Sequence, residues 1–237
     1  MIPEATNSLA ERLDRVQRRI RQAEADYGRT AGEVKLLAVS KTRPASEIRA
    51  AAALGQLRFG ESYLQEALGK LQELHEPMLE WHFIGRIQSN KTKAIAEHFD
   101  WVHSVASLKQ AQRLNDHRPA ALPPLNICIQ VNSSGETSKG GHETDELALL
   151  LEDYASLPNL RVQGLMTIPA PLEGLDAQRR PFRLLRTLRD RLSSDRLPLE
   201  TLSMGMSGDL EAAIAEGATI VRIGTAIFGP RQYNGQN

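Results

Sequence analysis

Residues 36–44 read LLAVSKTRP: four apolar residues and a serine in the pattern of a buried strand, then Lys41, with Pro44 ending the stretch. The fold turns on whether this unit recurs. Short apolar, β-rich runs follow at 57–62 (LRFGES), 80–85 (EWHFIG), 101–106 (WVHSVA), 125–131 (LNICIQV), 161–168 (RVQGLMTI), 199–205 (LETLSMG) and 219–229 (TIVRIGTAIFG), and the first is VKLLAVS at 34–40. Between most of them lie helical patterns, among them PASEIRAAAAL, YLQEALGKLQEL, DELALLLEDYASL, PFRLLRTLRDRL and DLEAAIAEG. Alternating strands and helices predict βα units around a parallel sheet. Eight strands within 237 residues predict an α/β fold made of a single closed (β/α)8 TIM barrel.

Ahead of the barrel, Ser8 and Glu11 form a capping-box signature, followed by Leu9, Leu13, Val16, Ile20, Ala23 and Tyr27 at spacings of four and three. The pattern predicts an amphipathic helix within residues 1–30, packed on a barrel that occupies 31–237. A coiled coil is the lesser reading, because the stripe lasts only about three heptads.

Composition excludes several function classes. The chain has 29 Lys+Arg against 29 Asp+Glu and no charge block at either end, so it lacks a sequence-independent hold on nucleic acid or an anionic membrane. Cys128 is the single cysteine, which excludes an internal disulfide and points to a reducing compartment. The first residues turn charged at once, unlike a secretory signal, and no apolar run reaches membrane-spanning length. A cytoplasmic protein is expected.

Ligands of such barrels bind where the strands end at their C-termini, and Lys41 directly follows the first strand. It is either a solvated lysine starting a loop or an amine held partly desolvated, its pKa lowered so that it attacks an aldehyde and forms a Schiff base. The other end of the chain bears on the choice. Ser207 and Gly208 precede a helical run after strand seven, where Ser207 reads as an N-cap, and RIGT in strand eight supplies Gly224 and Thr225 close by. These barrels frequently hold a phosphate group after strands seven and eight, on helix-start N–H groups.

A phosphate-bearing aldehyde held as an imine describes pyridoxal 5′-phosphate (PLP). From about Val34 to Tyr233 the chain resembles the pyridoxal phosphate homeostasis protein family, through AVSKT, FGESYLQEA, WHFIGRIQSNK, GLMTIPAP, SMGMSGDLEAAI and VRIGTAIFGPR in that order. That family is similar in fold to the barrel domain of bacterial alanine racemases. The resemblance implies that Lys41 is the Schiff-base lysine, that Ser207, Gly224 and Thr225 hold the phosphate, and that Arg222 lies against the pyridine nitrogen. It adds Ser62, Met204 and Gly208 to the cofactor-binding set. The family commonly has Asn at position 62 and Asp at position 208, so a cofactor-edge contact and a charge at the phosphate end differ here.

A guanidinium does not readily surrender its proton, so Arg222 disfavours a protonated ring nitrogen and makes the cofactor a poorer electron sink. Aminotransferase-like enzymes place a carboxylate there. The racemases also take a second acid/base from a tyrosine of a C-terminal β-domain. Here the sequence runs eight residues past Gly229, and of Tyr27, Tyr63, Tyr154 and Tyr233 only Tyr63 falls near the mouth. Three functions are weighed: a PLP carrier serving PLP homeostasis, with apo PLP-dependent enzymes as recipients; a PLP-dependent racemase; and an interaction module recruiting through its first helix. The carrier, a monomer without efficient catalysis, is the expectation.

The six histidines form no HxxxH or HExxH pair, so no metal site is expected. His82 and His103 read as packing residues and Cys128 as inert core. GRIQSNKTK at 85–93 reads as a cofactor-side or partner-facing loop, and NSSGETSKGG at 132–141 as a mobile loop over the mouth.

Overall fold

Helix α1 (Leu9–Asp26) begins where the capping box places it. In the computed structural model, which describes residues 7–133 and 140–230, Ser8 Oγ accepts from the Glu11 N–H at 3.2 Å and Glu11 Oε2 accepts from the Ser8 N–H at 2.7 Å. Leu13, Val16, Ile20 and Ala23 are buried. Each fully buried aliphatic side chain contributes about 1.5–3 kcal/mol, against about 1 kcal/mol for a cap, so burial holds the helix in place.

From there the chain runs β1 (Lys35–Val39), α2 (Ala45–Ala53), β2 (Arg58–Glu61), α3 (Leu64–Glu73), β3 (Glu80–Phe83), α4 (Thr92–His98), β4 (Trp101–Val105), α5 (Leu108–His117), β5 (Leu125–Gln130) and α6 (Thr144–Ala155). It continues β6 (Leu160–Met166), α7 (Leu175–Leu192), β7 (Thr201–Ser203), α8 (Leu210–Ala215), β8 (Ile220–Ile223) and α9 (Thr225–Phe228). Each strand lies parallel to its neighbours in chain order, and β1 pairs with β8, Lys35 beside Ile220 and Ala38 beside Ile223, so the sheet closes into a barrel. Closure leaves no edge strand and gathers all eight C-terminal ends at one mouth.

Helix α1 packs against α8 and α9, the elements after β7 and β8. Arg12 Nε donates to the Ile227 carbonyl at 2.6 Å, and the Arg19 guanidinium pairs with Glu211 at 2.9 Å. The buried Glu24 carboxylate accepts from the N–H groups of Gly32 (3.0 Å) and Val34 (2.8 Å), fixing the approach to β1. The apolar stripe is thus spent on the chain's own body.

Three local readings differ from the structure. Helix α7 starts at Leu175, six residues before Pro181, although the helical pattern was read from Pro181 on. Pro181 lies inside the helix, where its missing N–H leaves the Ala177 carbonyl without its usual partner. The eighth apolar run splits at Gly224, and its second half is the short helix α9. Ser207 is not a helix cap: Asp209 takes that position before α8, and its carboxylate accepts from the Met206 N–H at 2.5 Å.

Candidate functional site

A cavity of about 310 Å³ opens at the C-terminal mouth, lined by Val39, Lys41, Ser62, Met206, Ser207, Gly208, Arg222, Gly224 and Thr225, with Ile84, Met166 and Ile168. That volume lies at the lower end of small-molecule pockets. Seven of the eight sequence-derived site residues thus line one cavity. Met204 does not. It is fully buried in the core, whereas Met206 reaches the cavity, because Gly205 at φ 94° turns the chain between them. Sequence reading also missed Val39, Ile84, Met166 and Ile168, apolar residues at or just beyond the ends of β1, β3 and β6.

Lys41 follows β1, and a buried ionic network lies behind it. Lys70 Nζ donates to the Ser40 carbonyl (2.8 Å), Glu61 Oε1 (2.7 Å) and Glu66 Oε1 (2.5 Å), and Ser40 Oγ donates to Glu61 Oε1 at 2.6 Å. Burial pushes the Glu61 carboxyl up, with the Lys70 charge opposing. Thr42, the residue after Lys41, has φ 65°, and its N–H donates to Glu66 Oε1 at 2.6 Å. A threonine in the left-handed region is held there only by its surroundings, so the network sets the direction of the chain beside Lys41.

On β8, the strand paired with β1, Arg222 is 4% exposed. Its Nη1 donates to the Ser203 carbonyl (2.6 Å) and Ser203 Oγ (2.8 Å), and its Nη2 donates to the Thr167 carbonyl (2.8 Å). These bonds use three of its five donors. Burial pulls Arg222 down to about 10, which leaves it a cation at neutral pH.

The loops after β7 and β8 form the remaining wall. The N–H groups of Ser207, Gly208 and Thr225 stand outside the backbone hydrogen bonds among the described residues. A Cβ at Gly224 would come within 3.2 Å of the Val39 carbonyl, so only glycine lets β8 approach β1 there without displacing a neighbour. A Cβ at Gly208 would meet nothing within 4 Å, so packing does not demand that glycine. Helices α8 and α9 span six and four residues, so this wall offers loop donors more than a helix dipole.

The remaining singled-out residues lie elsewhere. His82 and His103 are fully buried inside the barrel, as is Cys128, whose thiol burial pushes up to about 12. Tyr27 lies beneath the Arg179 guanidinium (5.8 Å to the ring centre), Tyr154 shares a hydrogen bond with His142 (2.7 Å), and Tyr63 is 52% exposed. Neither these tyrosines nor any His, Asp, Glu or Cys lines the cavity among the described residues; Tyr233 lies outside them. Gly85, Arg86 and Ile87 of the 85–93 stretch border a second hollow beside the first, and Ser89–Lys91 turn into α4. Of the 132–141 loop, residues 134–139 lie outside the described residues. Among the described residues no three His, Cys, Asp or Glu side chains group as a metal site, and no helix is long and apolar enough to cross a membrane.

The barrel, the lysine after its first strand and the arginine on its eighth place the protein in a class. A profile of the alanine racemase N-terminal domain matches residues 12–232, and the chain belongs to that family. Within it the chain sits among the pyridoxal phosphate homeostasis proteins. The protein of that name from Pseudomonas aeruginosa PAO1 is 58% identical over 227 residues, covering 96% of this chain and 97% of its own. The solved structure of PipY from Synechococcus elongatus PCC7942 with PLP bound has a TM-score of 0.82 at 38% identity, covering 94% of this chain and all of that one. Alanine racemase from Corynebacterium glutamicum shares the fold alone, with a TM-score of 0.66 at 19% identity, over 96% of this chain and 63% of the racemase.

Proposed function

We propose that this protein binds PLP at the barrel mouth, holds its aldehyde on Lys41 as a Schiff base, and stores or hands on the cofactor without efficient chemistry of its own. The observation that carries the reading is the meeting of Lys41, the Arg222 cation and the loop donors of Ser207, Gly208 and Thr225 in one cavity. An amine, a cation and a set of anion-binding N–H groups match the aldehyde, ring nitrogen and phosphate of PLP. The PLP-bound PipY structure and the names of the close relatives support the same assignment.

Bound PLP supplies an electron sink and a reactive carbonyl. The chain's own residues limit the first. Arg222 stays charged and only donates, so it favours an unprotonated ring nitrogen. Proton transfer on both faces of a substrate Cα needs an acid/base group on each, within about 2.6–3.2 Å of the proton it moves. Lys41 serves one face, and the cavity lining has no second such group among the described residues. Barrel residues 31–237 are thus the binding unit, with residues 1–30 its buttress. Apo PLP-dependent enzymes are the proposed recipients, in the cytoplasm, where the unpaired Cys128 fits a reducing milieu. A monomer is the proposed state; light scattering showing a stable dimer would contradict that.

The deciding experiment is borohydride reduction of the PLP-treated protein followed by peptide mapping. Pyridoxyl on Lys41, with loss of the visible band in Lys41→Ala, is the expected result; label on another lysine overturns the assignment. Incubation with L-alanine in deuterated water tests the absence of catalysis, and sustained Cα deuteration with D-alanine appearing at enzymatic rates would favour a racemase.

A further inference from the structure

Branched apolar side chains normally fill the interior of a parallel eight-stranded barrel; this one carries a file of polar groups. Glu80 and His82 lie two apart on β3 and so share a face. His82 Nε2 is 2.7 Å from Glu80 Oε1, and His82 Nδ1 is 2.8 Å from His103 Nε2 on β4. His103 Nδ1 is 2.7 Å from Ser203 Oγ on β7. Strands β4 and β7 are not neighbours, so that bond crosses the barrel interior. Ser203 Oγ in turn meets Arg222 Nη1 at 2.8 Å. His82, His103 and Ser203 are fully buried, while Glu80 keeps 35% of its side chain exposed at the opposite end of the barrel.

The partners assign the protons. Arg222 only donates, so Ser203 Oγ accepts from it and directs its own hydrogen at His103 Nδ1. His103 then carries its proton on Nε2, pointing at His82 Nδ1, and His82 carries its proton on Nε2, pointing at Glu80. Every junction has one donor and one acceptor. A second proton on His82 would set two N–H groups face to face at the His82–His103 junction. Burial lowers both imidazoles from their ordinary value, His103 strongly, with the neighbouring His82 and Arg222 adding to it.

We propose that Glu80, His82, His103 and Ser203 are positioning residues: a one-directional hydrogen-bond chain, anchored at the N-terminal end of the barrel, that holds the Arg222 guanidinium in the orientation in which it meets the bound cofactor. The chain acts through Arg222 and touches no ligand itself. The inference rests on the PLP reading above and gives it a part that runs the depth of the barrel.

The test uses the full-length protein labelled with 15N-histidine, and PLP titrations read from the visible band. Two buried imidazoles in the Nε2–H tautomer, unchanged between about pH 6 and 8, are expected. Ser203→Ala should mix the His103 tautomers and weaken PLP about five- to tenfold, as expected for a lost hydrogen bond, with Ser203→Thr restoring both. Glu80→Ala, altered at the partly exposed end where folding is least at risk, should mix the His82 tautomers and weaken PLP in the same direction. Wild-type imidazoles doubly protonated or in the Nδ1–H form overturn the chain. So do Ser203→Ala and Glu80→Ala proteins that bind PLP like wild type with the same spectrum. A wild type that binds no PLP overturns the cofactor reading, and with it the chain's role, while the tautomers, read without PLP, still report whether the chain exists.

Discussion

The guanidinium of Arg19, on the first helix, donates to the main-chain carbonyl of Ser207 at 3.2 Å while it pairs with Glu211. The N-terminal helix therefore braces the loop that lines the cavity after β7. The pair is partly exposed, at 35% and 43% of the side chains, so Arg19→Ala should cost no more than about 1 kcal/mol of stability. PLP affinity should fall as well, about two- to fivefold, because the Ser207 loop loses its brace. Calorimetric melting beside a PLP titration separates the two effects; equal affinity in the variant would show that the loop holds itself.

Thr42 presents the opposite balance. Its left-handed backbone costs about 1–2 kcal/mol, more than the roughly 0.5–1 kcal/mol of chain entropy that glycine forfeits. Thr42→Gly should therefore raise the urea midpoint slightly. Glu66→Ala removes the acceptor of the Thr42 N–H and one partner of Lys70, and should lower stability by about 1–3 kcal/mol. A destabilised Thr42→Gly would mean that the threonine side chain earns back its strain.

The phosphate end is tested by Ser207→Ala and Thr225→Ala. Loss of a hydrogen bond to a charged group is worth about 1.5–3 kcal/mol, or roughly one to two decades of PLP affinity. Unchanged affinity in both variants would show that neither hydroxyl bonds the phosphate, leaving its hold to the main-chain N–H groups that alanine keeps.

The buried imidazoles predict a pH dependence. Since burial lowers His82 and His103, the folded state binds fewer protons than the unfolded chain once pH drops below the ordinary histidine value of about 6.5. Stability is then complete above that value and is lost as pH falls through it, with a slope of up to about 1.4 kcal/mol per pH unit for each histidine. Urea titrations between pH 7.5 and 5 measure the slope. His103→Asn, which keeps a donor and an acceptor, should flatten it; an identical slope in that variant would assign the effect to other groups.

Cys128, fully buried and pushed up to about 12, should ignore Ellman's reagent at pH 8 in the folded protein and react as one thiol per chain in guanidinium chloride. Rapid modification without denaturant would contradict the burial.

By itself the sequence determined the βα rhythm, the capped first helix and the lysine after strand one, because each is set by neighbours along the chain: periodicity, a capping box, a residue at a strand's end. It misplaced what depends on a single turn or on an override by packing. Met204 and Met206 change places because Gly205 reverses the chain between them, α7 runs through Pro181, and Asp209 takes the cap read for Ser207. His82 and His103 were legible as buried histidines, but their partners were not. His103 meets Ser203 across 100 residues, and Ser203 meets Arg222 from the adjacent strand. Only closure of the sheet, β1 onto β8, brings His103 on β4 within hydrogen-bond reach of Ser203 on β7, and no local pattern encodes a contact that exists only once the barrel has shut.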